Sequence, residues 1–415
     1  MGQDVIMYND FSQNRPGLPA NKKNMKNNSQ LHSISQMSFF LECLMLLLAF
    51  FILLRTPVDA DMWWHLRAGQ YMWEQKTILL ADQFSYTRAG APWVNAFWLA
   101  DLGMYGLLRL GGFPVLSAAV SLIGVAISLL WLRRMNAPVG IRMALVLLGI
   151  FAFSPVMGPR PQLLSFLMLA ILDVGLDRIR MDQASRRFIW LVVPLFILWA
   201  NLHGGFIWGF LLLAAFVAGE ILAQLTESEA RFTWPELGRV GFWTAMAWLG
   251  TAFNPNGIAL WKLPFYTVQI SIGGIYEWAS PDFHRADLHF MLWLIFLLLT
   301  GLGFSSRPIR WSDALKFIGF AYMAFVSQRS LGPFVVVAVP VVAASLAAAW
   351  EDRWKPTWAR FRTGHNTLQR DLTAMTRATL NSIILASLGI AAAMRLIQVS
   401  SQDQIMENQP AAAVD

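Results

Sequence analysis

Apolar runs separated by polar stretches set the pattern of this chain. They fall at residues 37–55, 113–132, 141–157, 161–176, 188–200, 204–224, 240–254, 288–304, 313–327, 332–350 and 379–397. A helix needs roughly 17–25 apolar residues to cross a bilayer. Several runs are shorter, so 141–176 and 188–224 admit other divisions. The pattern predicts an all-α protein, a polytopic transmembrane helix bundle of about eleven spans. Residues 93–110 are apolar but carry Asn95, Asp101 and Arg109, which suits a helix lying in the interface better than a span. Residues 1–36 are polar, rich in Asn, Ser and Gln, and read as a disordered cytoplasmic tail. Residues 37–55 read as an uncleaved signal anchor. The transmembrane domain then covers 37–397, and 398–415 form a short outer tail.

Composition agrees with the pattern. Of 415 residues, 56% are hydrophobic and 14% charged, where soluble domains carry about 25% charged residues. The net charge of +7 resides largely in short loops between apolar runs, which is a topology signal and argues against a nucleic-acid partner. With the N-terminus in the cytoplasm, inner loops receive roughly twice as many Lys and Arg as outer ones, as the positive-inside rule expects. Many of the 19 tryptophans end apolar runs, as interfacial belts require. The single cysteine, Cys43, excludes an intrachain disulfide. Nucleotide-binding signatures and an internal repeat are absent from the sequence, and span centres are nearly free of charge, which favours an enzyme over a transporter.

The outer side, with long loops at 56–112 and 255–287, gathers the candidate chemistry. It opens with Asp59-Ala60-Asp61-Met62-Trp63-Trp64-His65-Leu66-Arg67. Two carboxylates at i and i+2 can share a divalent cation, magnesium or manganese, or one can serve as general base beside the other; the plain alternative is a solvated capping loop. If 61–75 is helical, Met62, His65 and Gly69 share one side and Asp61 lies four residues before His65, giving an acid/base pair or an interfacial ion pair. Arg67, Asp82, Trp93 and Asn95 follow in the same loop. Arg160, fixed between two prolines and followed by Gln162, suits a phosphate contact, against the plainer role of snorkelling to headgroups. Gln328 and Arg329 form a second such pair. Asn201 and His203 precede Gly204-Gly205 at a tight turn, and Glu277, Asp282 and His284 occupy the later long loop.

These motifs, in this order, resemble the GT-C superfamily of polytopic glycosyltransferases. They resemble more closely a large group of bacterial membrane proteins with the segments matched here at 59–69, 82–87, 92–95, 160–162, 199–205 and 254–257. The resemblance implies a polyprenyl-phosphate-linked sugar donor, an envelope acceptor, and an active site on the periplasmic face of the bacterial inner membrane. It also implies an acidic base or metal ligand at Asp59 or Asp61; His65, close by in the sequence, would orient or assist. Many members continue into a soluble outer domain, and this chain, ending at Asp415, reads as a shortened member. A non-catalytic or transport component of lipid-linked saccharide assembly is the other function considered.

Overall fold

The computed structural model describes residues 22–55, 59–265, 276–362 and 374–399. Two units divide at Leu41. The described part of the first, residues 22–41, belongs to helix α1 (Lys22–Leu53). Residues 22–36, expected as disordered tail, are therefore helical: no proline or glycine interrupts them before the apolar run. Residues 1–21 and 400–415, and positions 56–58 and 266–275 of the long loops, lie outside the described residues.

The second unit is a helical bundle, and the described residues contain an isolated bridge, Ala81 with Pro92, but no strand. Helix α2 is Met62–Gln75 and α3 is Trp98–Arg134. Then come α4 (Val139–Phe153), α5 (Gln162–Met181), α6 (Val192–Leu202), α7 (Phe206–Leu225) and α8 (Trp234–Gly250). Next are α9 (His289–Phe304), α10 (Trp311–Val326), α11 (Leu331–Ala349), α12 (Lys355–Arg362) and α13 (Ala374–Val399). Each expected apolar run coincides with a helix. Among the described residues, 7 helical stretches can cross a membrane by length and composition: those within 98–134, 139–156, 183–202, 206–225, 286–304, 328–358 and 379–398.

The interfacial helix and the first run after it are joined in α3, with a break at Gly111 and Gly112. The φ of Gly112 is +68°, a left-handed conformation that a side chain would resist. The portion before the break packs on α2, where a Cβ on Gly69 would collide with the backbone oxygen of Asp101. The bundle is organised on α11, buried at every residue from Leu331 to Ala343. Its small and β-branched residues let α4, α5, α9 and α10 approach closely, with Gly301 of α9 set against Ser345.

Charge also lies inside the bundle, gathered where α3 ends and α10 begins. Arg134 meets Asp173 (3.3 Å), Asp177 (3.0 Å) and Asp313 (3.5 Å). Lys316 bridges Asp173 (2.8 Å) and Asp313 (3.0 Å). Arg310 bridges Asp177 (3.3 Å) and Asp313 (2.6 Å). Beside them Arg180 pairs with Glu220 at 2.6 Å. Each of these charges lies within 3.5 Å of a neutralising partner from another element, so none is stranded in apolar surroundings. The cluster ties α3, α5, α7 and α10 together at the end of α5 remote from Gln162; eleven residues of helix put Asp173 roughly 16 Å along the axis.

Removing Asp173 leaves Arg134, Lys316 and Arg310 with only Asp177 and Asp313, so one buried positive charge goes uncompensated. Asp173→Ala is expected to cost about 3–5 kcal/mol, read as a lower Tm of the purified protein in detergent. The paired change Asp173→Leu with Lys316→Met is expected to recover most of that loss.

Candidate functional site

The segment after α1, the turn into α5 and the loop before α9 meet at Arg160. Gly158 makes the approach feasible: a Cβ there would stand 2.5 Å from Asp59 Oδ2. Arg160 Nε donates to both oxygens of Asp59 at 2.6 Å. Its Nη1 lies 2.6 Å from Glu277 Oε1 and 3.3 Å from Asp61 Oδ2. Burial alone would lower the Arg160 pKa, but the hydrogen bond and charge of Asp59, followed by those of Glu277, outweigh it and raise the pKa above its ordinary value. The two aspartates thus share a guanidinium. Among the described residues no group of three or more His, Cys, Asp or Glu side chains is placed to hold a metal ion.

The aspartates differ. Asp59 also accepts the Asp61 amide at 2.9 Å and is largely enclosed, whereas 46% of the Asp61 side chain is exposed. Arg329 is the less compensated cation. Its Nη1 lies 4.0 Å from Glu277 Oε2, and its guanidinium stands 5.5 Å from the ring centre of Trp278. Gln162 donates to the Arg329 carbonyl at 3.3 Å, and Gln328 is 9% exposed with a buried side-chain amide nitrogen that has no partner. A cavity of about 490 Å³ opens here, lined by Asp59, Arg160, Gln162, Glu277, Gln328 and Arg329, with Arg55 and Arg285 on its wall. Cationic side chains beside an unpartnered amide donor suit an anionic group.

Two imidazoles lie close by. The helical face carrying Met62, His65 and Gly69 is buried, as expected. The expected Asp61–His65 side-chain pair is not formed. Only the backbones are bonded, and the His65 ring turns inward so that Nδ1 meets Asp101 Oδ1 at 2.7 Å. The other oxygen of Asp101 is buried without a partner. With Nδ1–H donating to the carboxylate, the lone pair of His65 is at Nε2. Burial, then the positive fields of His203, Arg160 and Arg329, push the His65 pKa down to about 2. Phe97 stands between the two histidines, its ring centre 5.3 Å from each. His203 Nδ1 accepts from the Gly205 amide at 2.8 Å and from the Ser165 hydroxyl at 2.7 Å, and that hydroxyl accepts the Trp199 indole N–H at 2.7 Å. Burial, then the charge of Arg329, lower the His203 pKa to about 3.

The remaining candidates separate. Asn201 is fully engaged inside the fold: its Oδ1 accepts Trp98 Nε1 at 2.9 Å, and its Nδ2 donates to the Ile197 and Phe253 carbonyls at 2.8 Å. It bolts α6 to α3 and to the end of α8. Asn95 is buried and receives the Phe97 amide at 3.0 Å, its own Nδ2 unpartnered. Asp82 folds its own loop, accepting the Phe84 and Ser85 amides at 2.9 Å and the Ser85 hydroxyl. The hydroxyl, then the two amides, hold its carboxyl below the usual carboxylate range. Arg67 is exposed and bonded to Gln70 at 2.9 Å. Asp282 and His284 pair with each other at 2.8 Å on the surface and do not line the cavity. Trp93 packs on Trp64, ring centres 5.8 Å apart.

Sequence reasoning missed the roles of Asp101 and Ser165. Asp101 gave one signal, an acid in an otherwise apolar helix; Ser165 gave none. In comparisons with known proteins, no family model matches this chain and no curated protein matches it.

Because His203 stays neutral in the folded state and titrates near 6.5 when unfolded, protons favour the unfolded chain below about pH 6.5. Stability is complete above that pH and is expected to fall as pH drops toward 3. The slope is about 1.4 kcal/mol per pH unit for each such histidine. His203→Asn keeps an acceptor for the Gly205 amide and is expected to flatten the fall of Tm between pH 7 and 5; an unchanged slope would exclude His203 as its source.

Proposed function

We propose that this chain is a membrane glycosyltransferase of GT-C type. It takes a sugar from a polyprenyl-phosphate-linked donor and passes it to an acceptor of the cell envelope, on the periplasmic face of a bacterial inner membrane. One observation carries the reading: a carboxylate with an open face, Asp61, and a weakly compensated arginine, Arg329, share one ion-pair network beside a cavity of about 490 Å³. A transfer reaction needs both parts, a base for the incoming hydroxyl and a cation for the departing phosphate.

In this reading the donor phosphate lies against Arg329 and the Gln328 amide. Asp61 takes the proton of the acceptor hydroxyl while its oxygen forms the new bond to the anomeric carbon. The bond from that carbon to the phosphate oxygen breaks, and the charge gathering on polyprenyl phosphate is stabilised by Arg329. Asp59 acts as a positioning residue: held by two hydrogen bonds from Arg160 Nε, it fixes the guanidinium that steadies Asp61. His65, locked to Asp101, supports Trp64, whose ring centre lies 3.5 Å from its own. A divalent cation, had it a place here, would share Asp59 and Asp61 with Arg160.

The transport reading gains one observation, the buried ions around Asp173 and Asp313. Those ions close on one another about a cavity of only about 10 Å³, although Arg180, Arg310 and Asp313 also line an adjoining concavity of about 650 Å³. They fit a structural tie better than a route.

The expected result with a polyprenyl-phosphate sugar donor is that Asp61→Asn lowers kcat by about 100-fold or more with little change in KM. Arg329→Ala should mainly weaken binding of polyprenyl phosphate. Full transfer by both Asp59→Asn and Asp61→Asn would sink the proposed acid–base role.

A further inference from the structure

A second concavity is walled by Trp64, whose indole N–H donates to Asp61 Oδ1 at 3.4 Å. Its walls are the rings of Trp64, Phe84, Trp93 and Phe97, and Asp82 and Arg88 stand at its edge; its volume is about 590 Å³. That lies within the range of small-ligand sites, about 300–1,000 Å³. The rings form a corner and not a flat stack. Trp64 meets Trp93 at 46° with centres 5.8 Å apart, Trp64 meets Phe97 at 72° and 5.8 Å, and Phe84 meets Trp93 at 86° and 6.5 Å. Four aromatic side chains thus leave part of their faces uncovered around one space, with Phe84 39% exposed.

The backbone holds this corner open. The Asp82 amide donates to the Ala91 carbonyl at 2.9 Å, and the Trp93 amide to the Leu80 carbonyl at 2.9 Å, so the loop closes as a small hairpin under Trp93. Asp82, clamped by Ser85 and the Phe84 amide, presents an ionised acceptor, and the exposed Arg88 presents donors. Aromatic faces carry partial negative charge and attract the polarised C–H face of a pyranose, while a carboxylate and a guanidinium satisfy its hydroxyls.

The position matters as much as the chemistry. Trp64 Nε1 donates to Asp61 Oδ1 at 3.4 Å, while Asp61 Oδ2 faces Arg160 at 3.3 Å. One carboxylate oxygen therefore looks to the aromatic corner and the other to the arginine cavity. We propose that the aromatic corner formed by Trp64, Phe84, Trp93 and Phe97 binds a saccharide, and that the acceptor of the transfer is itself a sugar. The acceptor role rests on the transfer reading above; the binding of sugar does not.

The full chain, purified into lipid nanodiscs, is titrated with neutral tetrasaccharides of β-linked glucose, α-linked glucose and N-acetylglucosamine, followed by tryptophan fluorescence and saturation-transfer NMR. At least one is expected to bind saturably. Trp93→Ala should weaken it by about tenfold or more, Trp93→Phe should restore most of the binding, and Arg329→Ala should leave it unchanged. A chain that binds polyprenyl phosphate but none of the saccharides overturns this inference and leaves the transfer site standing. Sugar binding that persists when transfer activity is absent does the reverse. Quenching of the Trp93-dependent fluorescence by brominated lipid, with no response to sugar, would make the corner a membrane-facing surface and also overturn the inference.

Discussion

The ion pairs at this end of the bundle depend on the guanidinium of Arg160. It is the meeting point of three chain segments that share no secondary structure: the exit from α1, the entry to α5 and the loop before α9. Three carboxylates in a partly enclosed site would repel one another, and a single partly buried arginine would be costly without a partner. Each makes the other tolerable. The two prolines beside Arg160 and the bare backbone of Gly158 bring the charges within hydrogen-bond distance, so local chain stiffness is converted into long-range geometry. Arg329, anchored at the start of α11, adds a second cation, and the most deeply buried helix thereby reaches the cavity directly.

Much of the architecture was legible in the order of apolar and polar positions. The apolar runs match helices because burial of a continuous apolar segment leaves the chain little choice beyond intramolecular backbone hydrogen bonds. Gly69 and His65 sat on the face that the helical period predicted. The less legible part concerned partners. Arg160 and Asp59 lie 101 residues apart, and His65 and Asp101 lie 36 apart, so no local spacing could couple them. The expected pairing of Asp61 with His65 followed helix geometry correctly but ignored the better buried acceptor on the neighbouring helix. The buried ion pairs were hidden for the same reason: Asp173 and Lys316 lie 143 residues apart in the chain and meet only when their helices pack together.

The functional end and the buried ion cluster use similar chemistry for different ends. In the cluster, the aspartates and their cationic partners are mutually satisfied, leaving only a minute cavity. Around Arg160 the same residue types stay open on one side, and Gln328 and Asp101 retain buried polar atoms without partners. Unsatisfied polarity of this kind costs stability, which a fold retains where something other than stability is served.

Arginine also settles a question of autonomy. Its charge persists at any pH the molecule meets, and it is covalently part of the chain. The carboxylates of Asp59, Asp61 and Glu277 therefore carry part of their counter-charge wherever the protein goes. That part of the local electrostatic balance is inherited with the polypeptide and does not have to be drawn from the salts of the surrounding medium.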